Sequence, residues 1–343
     1  MRAAVFDGPR SMAVREVEHP TCRPGHVIVD VYATGVCGTD VHGFDGSNNR
    51  RSYGQVMGHE TVGTVSEVGA GVPRSRIGEV VVINPLLSCG ECRFCRSEQR
   101  QVCRARRVVG VAPELLGGFA DHLSVPAANA IPFSPDVPRL HGVLVEPLAV
   151  GLHALSVTEP TVDDAVLIIG GGPIGQATAL ATRYRGIERV LVSEPSPARR
   201  ALLQKWGFAV TTPNTLRLGI DDALGCPPSV VVDAVGITPS IQAALDVSDH
   251  RARISLVGMG AVRLDVDSYG ISTGERRLIG SYCYSDDHFA EAVAWVGSGI
   301  AALDDLVGRT WSLDQIGAAF ADLTDGEPPM AKSMILSRCA TLH

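Results

Sequence analysis

The sequence predicts an α/β protein in which a β-rich domain is joined to a doubly wound parallel sheet. In the first 145 residues, short β-branched runs such as 26–32, 61–69 and 79–85 alternate with glycine and proline, a pattern typical of strands joined by tight turns. After about residue 150 the pattern changes to apolar strands that alternate with amphipathic helices. Continuous apolar strands connected by helices indicate a parallel sheet covered on both faces.

The composition narrows the functional classes. The chain has 343 residues and a formal net charge of −7, which argues against a general binder of nucleic acid or of a membrane surface. The first residues lack the apolar region of a signal peptide, and no run of about 18 residues is apolar throughout, so we expect a cytoplasmic protein. Nine cysteines in such a reducing compartment indicate metal ligands or buried thiols rather than disulfides.

The second half divides into strand–helix units. The apolar run 165–170 leads through a glycine-rich turn into a helix that ends at Gly186. The strand 189–194 is followed by a helix with Ser196 as its N-cap and Gly207 at its end. Further strands are predicted at 230–236, 253–260 and 277–282, and two amphipathic segments and a last strand are predicted after about residue 288.

A dinucleotide-binding signature follows the first of these strands. Gly170, Gly172 and Gly175 form G-x-G-x-x-G between a buried strand and a helix, where a tight turn lets the helix N-terminus face a pyrophosphate. Glu194 ends the second strand, where a carboxylate accepts hydrogen bonds from an adenosine ribose and repels a 2′-phosphate. This predicts NAD rather than NADP, although Arg199 weakens the exclusion of NADP. The alternative is a turn that only packs a helix on a sheet.

The β-rich half holds a mixed set of metal-ligand types. Cys37 is followed twenty-two residues later by His59, with Glu60 beside it. Zinc accepts a thiolate, an imidazole and a carboxylate while one position stays open for water or substrate, which is the pattern of a catalytic site. Taken singly, Cys37 is more often a buried small side chain and His59 a hydrogen-bonded core histidine.

A second cluster has the spacing C-x2-C-x2-C-x7-C and comprises Cys89, Cys92, Cys95 and Cys103. Four thiolates complete a tetrahedron around zinc and leave no open position, so this site is predicted to be structural. The arginines between these cysteines leave two alternatives open, a nucleic-acid-binding zinc ribbon or a solvated basic lobe. Because acidic residues dominate elsewhere, an acidic face of another subunit is a further candidate contact for such a lobe. The spacing and the acidic composition favour the basic lobe over nucleic-acid binding.

The order of these motifs resembles that of the zinc-dependent medium-chain dehydrogenases over nearly the whole chain. The resemblance is carried by "GVCGTD", "GHETVGTVSEVGAGV", the four-cysteine lobe, "GGFADHLSVPAAN", "VEPLAVGLHAL" and "VLIIGGGPIGQ". The segment "VEPLAVGLHAL" is similar to the polyol (sorbitol) and threonine dehydrogenase branch. The resemblance implies a GroES-like catalytic domain at 1–148 and 289–343 with a zinc lobe at about 86–108, and a Rossmann-type domain at 149–288.

The resemblance also implies roles for individual residues. Those implied to surround a catalytic zinc are Cys37, His59, Glu60 and Glu146. Either Glu60 or Glu146 is the resting ligand, and Glu146 otherwise holds the zinc-bound water. Thr39 and His42 are implied to relay the proton of the substrate hydroxyl to solvent. The cofactor is implied to contact the helix start and the ends of two later strands, at Pro173, Ile174, Val257, Gly258, Met259, Ser281, Tyr282 and Cys283.

The expected reaction is hydride transfer between a secondary alcohol of a polyol, cyclitol or amino-cyclitol and NAD, with one catalytic and one structural zinc per chain. Threonine-type amino alcohols are the alternative substrates, and the family is commonly dimeric or tetrameric. An alternative from another class is a zinc-ribbon protein that senses nucleotides or binds nucleic acid without redox turnover. Such a protein would not need the set that contains Cys37 and His59.

The expected substrate pocket is lined by Thr39, Phe44, Phe119 and Glu146. The segment 42–55 is expected to line its entrance, where Arg50 and Arg51 would meet an anionic group of a substrate.

Overall fold

The computed structural model of the chain describes residues 1–47, 51–300 and 302–337. The chain divides into two compact units. The first comprises Met1–Glu146 and Phe289–His343, and the second comprises Pro147–His288. Residues 149–288, which the sequence assigns to a dinucleotide-binding domain, lie in the second unit. None of the described helices is both long and apolar enough to pass through a bilayer.

The strands and helices of the described residues are numbered in chain order. The strands are β1 (Arg2–Gly8), β2 (Ser11–Glu16), β3 (His26–Gly35), β4 (Glu60–Val68), β5 (Val80–Ile83), β6 (Leu86–Leu87), β7 (Arg107–Val108), β8 (His122–Pro126), β9 (Ala130–Pro132), β10 (Val166–Ile169), β11 (Val190–Ser193), β12 (Ala209–Thr211), β13 (Val230–Asp233), β14 (Arg253–Leu256), β15 (Arg277–Gly280), β16 (Val307–Ser312) and β17 (Lys332–Leu336). The helices are α1 (Gly38–Phe44), α2 (Arg93–Arg96), α3 (Val145–Ser156), α4 (Pro173–Tyr184), α5 (Pro197–Lys205), α6 (Leu216–Ala223), α7 (Thr238–Val247), α8 (Ser268–Thr273), α9 (Asp286–Gly297), α10 (Leu303–Leu306) and α11 (Ile316–Asp325).

The second unit is built around a sheet with the strand order β12-β11-β10-β13-β14-β15. Every neighbouring pair is parallel, and Val166 of β10, for example, lies between Val190 of β11 and Val230 of β13. A helix follows each strand along the chain. The doubly wound parallel sheet predicted from the sequence is therefore confirmed. In such a sheet the order reverses between β10 and β13, and ligands bind at the carboxyl ends of the strands there.

The core of this sheet is apolar on both faces, as parallel strands require. Leu167, Leu191, Val231 and Ile254 are at most 1% exposed and pack in one cluster with Ile241 of α7. Full burial of one such side chain stabilises a fold by roughly 1.5–3 kcal/mol. The continuous apolar runs in the sequence thus become the middle layer of this unit.

The first unit contains a seven-stranded sheet with the order β16-β17-β3-β4-β5-β9, in which β8 also pairs with β3. The pair β16–β17 is parallel and the other pairs are antiparallel. The β-rich domain predicted from the sequence is thereby confirmed. Gly35 at the end of β3 pairs with Glu60 of β4 on one side and with Met334 of β17 on the other. This register brings three segments that are distant in sequence to one end of the sheet.

A buried ion pair fastens the N-terminal hairpin of β1 and β2 to the first unit. Arg2 donates to both carboxylate oxygens of Asp121, at 2.9 and 3.2 Å, and also contacts Asp314. Although burial raises the pKa of Asp121, the hydrogen bonds and charge of Arg2 outweigh it and hold that pKa below its usual range. Removal of one partner from a buried pair of this kind costs about 3–5 kcal/mol.

Two histidines of the second unit contact each other through their rings. Nδ1 of His153 in α3 lies 3.1 Å from Nδ1 of His288, and His288 also contacts the hydroxyl of Ser285 at 2.8 Å. Burial and the neighbouring His288 together lower the pKa of His153 to about 4. The folded unit therefore holds His153 as a neutral ring at physiological pH.

Replacement of His153 by glutamine should make the protein less sensitive to acid. The pKa of His153 is about 4 when folded and 6.5 for an ordinary histidine, so the unfolded chain binds the proton more readily between these values. His153 thus has no such effect above about pH 6.5, but it lowers the free energy of unfolding as the pH falls toward 4, by about 2 kcal/mol at pH 5. Urea titrations of both proteins at about pH 7.5 and pH 5 test this, and equal losses in the two would contradict it.

Candidate functional site

Three potential metal ligands of the first unit meet where β3 ends and β4 begins. Donor atoms of Cys37, His59 and Glu60 all lie within 4.8 Å of one another. Cys37 lies two residues after the end of β3 and is the N-cap residue of α1, while Glu60 is the first residue of β4 and pairs with Gly35. The antiparallel pairing of these two strands therefore brings together the thiol and the His-Glu pair, which are separated in the sequence by about two dozen residues.

The chemistry of these donors fits a metal ion. Within the described part of the chain, Oε2 of Glu60 is buried and has no hydrogen-bond partner. Burial lowers the pKa of His59, but Asp40, Cys37 and Glu146 outweigh it and raise that pKa to about 10. Without metal the ring is therefore protonated at neutral pH, and a metal would replace this proton. A thiolate, an imidazole and a carboxylate at this spacing match the donor set of a catalytic zinc site.

Asp40 and Arg51 form a buried ion pair beside the metal-ligand set of Cys37, His59 and Glu60. Oδ2 of Asp40 lies 3.7 Å from Nδ1 of His59 and accepts a hydrogen bond from the backbone N–H of Cys37 at 3.2 Å. Oδ1 of Asp40 accepts from Arg51 at 3.2 Å, and the side chains of Asp40 and Arg51 are 0% and 2% exposed. A carboxylate that faces a ligating histidine orients its ring, so this buried pair serves to position His59.

A second buried cation, Lys332, contacts Glu60 of the same metal-ligand set. Nζ of Lys332, at the start of β17, donates to Oε1 of Glu60 at 2.7 Å and to the carbonyl oxygen of Val36 at 3.3 Å. Burial lowers the pKa of Lys332, but the negative charges of Glu60, Cys37 and Glu146 outweigh it and raise that pKa above its ordinary value. Lys332 is therefore a charged residue inside the protein.

The remaining predicted catalytic residues lie on two helices. Glu146, in the first turn of α3, is buried, and its charge raises the pKa of both His59 and Lys332. Thr39 and His42 are three residues apart in α1 and so lie on one helix face. The hydroxyl of Thr39 is buried and has no partner among the described residues, whereas His42 is exposed and contacts Ser47.

The structure corrects the expected pocket lining. Phe44 and Phe119 are 3% and 0% exposed and pack against Phe320 in the core, so neither can line an open pocket. Arg51 does not face an entrance either, because its side chain is buried against Asp40. The sequence misled here because aromatic residues near a motif are equally typical of a core. Arg50 lies outside the described residues.

The four cysteines of the lobe meet at the spacing of a tetrahedral site. The sulfur–sulfur distances are 3.5 Å for Cys92–Cys95, 3.6 Å for Cys103–Cys89 and 3.8 Å for Cys89–Cys95. Zinc–sulfur bonds of about 2.3 Å place tetrahedral sulfurs about 3.8 Å apart, so the four thiols fit zinc. Each described cysteine of the chain is free of disulfide bonds, as the composition predicts.

Several arginines of this lobe contact residues of the lobe itself, and their charge offsets that of the four thiolates. Arg93 lies over the ring of Phe94, Arg106 donates to the carbonyl oxygen of Cys103, and Arg107 pairs with Glu114. Four thiolates around one zinc carry a net charge of about −2, which part of the arginine charge offsets. This arrangement favours a solvated structural lobe over a nucleic-acid-binding ribbon.

The glycine-rich turn of the second unit is shaped by a close approach of backbone to backbone. A Cβ atom at Gly175 would lie 1.8 Å from the carbonyl oxygen of Gly170, and Gly170 has a φ of +93°. Glycine is therefore required at both positions. Gly172 is the N-cap residue of α4, with Pro173 and Ile174 in its first turn, so the start of α4 is open to a phosphate group.

Glu194 and Arg199 flank this turn. The buried carboxylate of Glu194 accepts from the backbone N–H of Gly171 at 2.6 Å and from that of Ser196 at 2.7 Å. Each oxygen keeps a further lone pair that a ribose hydroxyl can use. The guanidinium of Arg199 lies beside Gly172, 3.5 Å from where a Cβ atom would stand, and its burial lowers its pKa while Glu194 opposes that shift.

The ends of β14 and β15 provide the remaining predicted cofactor contacts. Gly258 packs so closely on Val235 that a Cβ atom would lie 2.3 Å from the carbonyl carbon of Val235. The hydroxyl of Ser281 is buried, with no hydrogen-bond partner in the described ranges, and Cys283 has a φ of +49°. An orphaned hydroxyl and a glycine cradle at the carboxyl ends of these strands fit a bound dinucleotide. The other predicted contacts in these two segments are Val257, Met259 and Tyr282.

Two family models match the chain. A model of the alcohol dehydrogenase GroES-like domain matches residues 23–136, and a model of the zinc-binding dehydrogenases matches residues 173–298. The first range contains the Cys37 set and the four-cysteine lobe. The second begins at Pro173, directly after Gly172, and contains Gly175 of the glycine-rich turn.

Full-length comparisons agree with the family models. The chain is 32% identical to 2-dehydro-3-deoxy-L-galactonate 5-dehydrogenase of Pseudoalteromonas atlantica over 98% of each chain. It is 32% identical to L-threonine 3-dehydrogenase of Pyrococcus abyssi over 74% of each chain. A crystal structure of an alcohol dehydrogenase of Escherichia coli CFT073 with NADH matches with a TM-score of 0.90 at 27% identity and covers 98% of this chain and 99% of that one.

These similarities extend over both units, and they confirm zinc and a nicotinamide dinucleotide as the cofactors of this family. A nucleotide-sensing or nucleic-acid-binding protein without turnover is not supported. The chain belongs to the zinc-dependent medium-chain dehydrogenases, oxidoreductases that act on CH–OH groups with NAD(P).

Proposed function

We propose that this enzyme oxidises a secondary alcohol of a polyol, cyclitol or amino-cyclitol with NAD, at a zinc site formed by Cys37, His59 and Glu60. The single observation that carries the proposal is the convergence of these three donors within 4.8 Å, with Oε2 of Glu60 buried and without a described partner. Glu146 lies outside that set of mutually close donor atoms. We therefore assign Glu60 as the resting ligand and Glu146 as the carboxylate that holds the water or substrate hydroxyl.

The roles of the surrounding residues follow from their chemistry. When bound, zinc supplies a Lewis acid that lowers the pKa of a substrate hydroxyl. The buried hydroxyl of Thr39 takes up the proton of the substrate hydroxyl while it releases its own. His42, exposed on the same face of α1, accepts the released proton and passes it to solvent. Glu194 and Arg199 would hold the adenosine end of NAD, which would supply the hydride acceptor.

The substrate class is inferred from the carboxylates and from the relatives. Glu60 and Glu146 offer hydrogen-bond acceptors to a molecule with several hydroxyl groups. One relative is named for oxidation at carbon 5 of a deoxy sugar acid, which agrees with a secondary alcohol in a hydroxyl-rich chain. The similarity to L-threonine 3-dehydrogenase makes hydroxy amino acids the second candidate. We further propose a cytoplasmic homodimer or homotetramer, the states common in this family.

The test combines metal analysis with a substrate panel. Wild-type protein should contain about two zinc ions per chain and should reduce NAD with one class among polyols, cyclitols, amino alcohols, sugar acids and threonine. The variant Cys37→Ala should lose one zinc and its turnover, whereas Cys226→Ala, which alters a cysteine outside both clusters, should keep both. One zinc per wild-type chain with no turnover on the whole panel would overturn the proposal.

Replacement of Thr39 by valine should slow the proton transfer while the metal stays bound. Valine has the shape of threonine but lacks the hydroxyl, so kcat should fall by about 100-fold with little change in KM. The variant Thr39→Ser keeps the hydroxyl and should retain most of the activity. Stopped-flow kinetics across pH, with zinc content measured on the same samples, checks both. Wild-type turnover in zinc-loaded Thr39→Val protein would rule out the relay.

Replacement of Glu194 by glutamine should shift the cofactor preference toward NADP. The amide keeps an acceptor for one of the two backbone N–H groups but removes the negative charge that repels a 2′-phosphate, while Arg199 stays in place. The ratio of kcat/KM for NAD to that for NADP should fall at least about 10-fold. Glu188→Gln, a change at an exposed glutamate of the same unit, serves as the control. An unchanged ratio would show that Glu194 does not select the cofactor.

A further inference from the structure

The last described strand of the first unit, β17, begins with a buried charged residue, Lys332. Its side chain is 3% exposed. Lysine is almost never fully buried unless it is paired. Its partner is the carboxylate of Glu60, 272 residues earlier, at 2.7 Å. This contact therefore depends on the sheet order, which places β17 and β4 on either side of β3.

Gly35 of β3 leaves room for the carboxylate of Glu60. In the sheet register Gly35 pairs with both Glu60 and Met334. A Cβ atom at Gly35 would stand 2.0 Å from Oε2 of Glu60 and 3.2 Å from its Cβ atom. The carboxylate of Glu60 therefore lies across the backbone of Gly35, in space that any side chain at that position would fill.

The two oxygens of the Glu60 carboxylate have different surroundings. Oε1 accepts the hydrogen bond of Lys332, while Oε2 has no partner in the ranges that the structure describes. Both partner groups are buried, so the carboxylate has little freedom to exchange its oxygens. One carboxylate oxygen of Glu60 belongs to the close set with Cys37 and His59. Since Oε1 is already held by Lys332, Oε2 is the oxygen left free to bind a metal.

We propose that Lys332 is a positioning residue that holds Glu60 by Oε1 and so presents Oε2 to the metal, in the space left by Gly35. The proposal rests on the zinc site of the proposed function, and it adds which oxygen binds and what fixes it. A group of this kind that orients a ligand typically contributes 10–100-fold to metal affinity.

Cobalt binding to the variant Lys332→Met tests this directly. Methionine retains the length of the apolar part of lysine and removes the ammonium group. We expect the affinity of the Cys37 site for Co²⁺ to fall roughly 10–100-fold and its visible ligand-field absorption to change, because Glu60 then loses its fixed orientation. The sulfur-to-cobalt absorption of the four-cysteine site provides an internal reference and should stay unchanged.

A matched control separates positioning from general destabilisation. Arg2→Met breaks another buried ion pair of the same unit, that with Asp121, far from the metal ligands in the sequence. It should lower Tm to an extent comparable with Lys332→Met while leaving the cobalt affinity and the absorption of the Cys37 site as in the wild type. If Arg2→Met weakened cobalt binding equally, the effect of Lys332 would be structural and the proposal would fail.

A second variant keeps all charges in place. Gly35→Ala retains Lys332 and Glu60 but pushes on Oε2, so it should weaken cobalt at the same site and alter the same absorption band, even if Lys332→Met proved unable to fold. Wild-type affinity and spectrum in either variant would overturn the proposal. Failure of the proposed function is distinct, since it would appear in the wild type as cobalt uptake at the four cysteines alone.

Discussion

Pairing of buried charge is the constraint on which the first unit depends. An ionised carboxylate inside a protein is costly unless a cation or a metal compensates it. Asp40 is compensated by Arg51, and one oxygen of Glu60 is compensated by Lys332. Beside these pairs stand Cys37 and Glu146, whose negative charge favours the protonated form of His59. A metal that binds there displaces this proton and takes over the compensation of that charge.

Both units contain glycines at positions where a Cβ atom would clash with a neighbouring group, but the neighbouring group differs. In the second unit, Gly175 and Gly170 allow two backbone segments to touch, so that the start of α4 stays open to a phosphate. In the first unit, Gly35 makes room for a side chain, the carboxylate of Glu60, rather than for a ligand. In both cases the missing Cβ atom is what the function requires, and any larger residue would displace the group that meets the cofactor or the metal.

The sequence alone predicted the fold class and the local motifs, because those depend on periodicity and on ligands spaced by a few residues. The cysteines of the lobe and the glycine-rich turn are of this kind. Lys332 could not be predicted, since its partner Glu60 is 272 residues away and their contact follows from the order of strands. The sequence also did not show that Arg51 pairs with Asp40, eleven residues earlier, or that Phe44 is a core residue, because no local pattern marks the burial of a charged or aromatic residue beside a motif. One signal was available, the charged residue at the start of the apolar segment 332–337.

The short sulfur–sulfur distances in the four-cysteine lobe make its cysteines sensitive to oxidation when no metal is bound. Thiols 3.5–3.8 Å apart need to approach by less than about 2 Å to form a disulfide, whose sulfurs are about 2.0 Å apart. A bound ion occupies their lone pairs and keeps them apart. Once the ion is lost under air, neighbouring cysteines such as Cys92 and Cys95 can be oxidised to a bridge that no longer accepts metal. The order of this lobe is thus maintained by a reducing environment as much as by the amount of zinc.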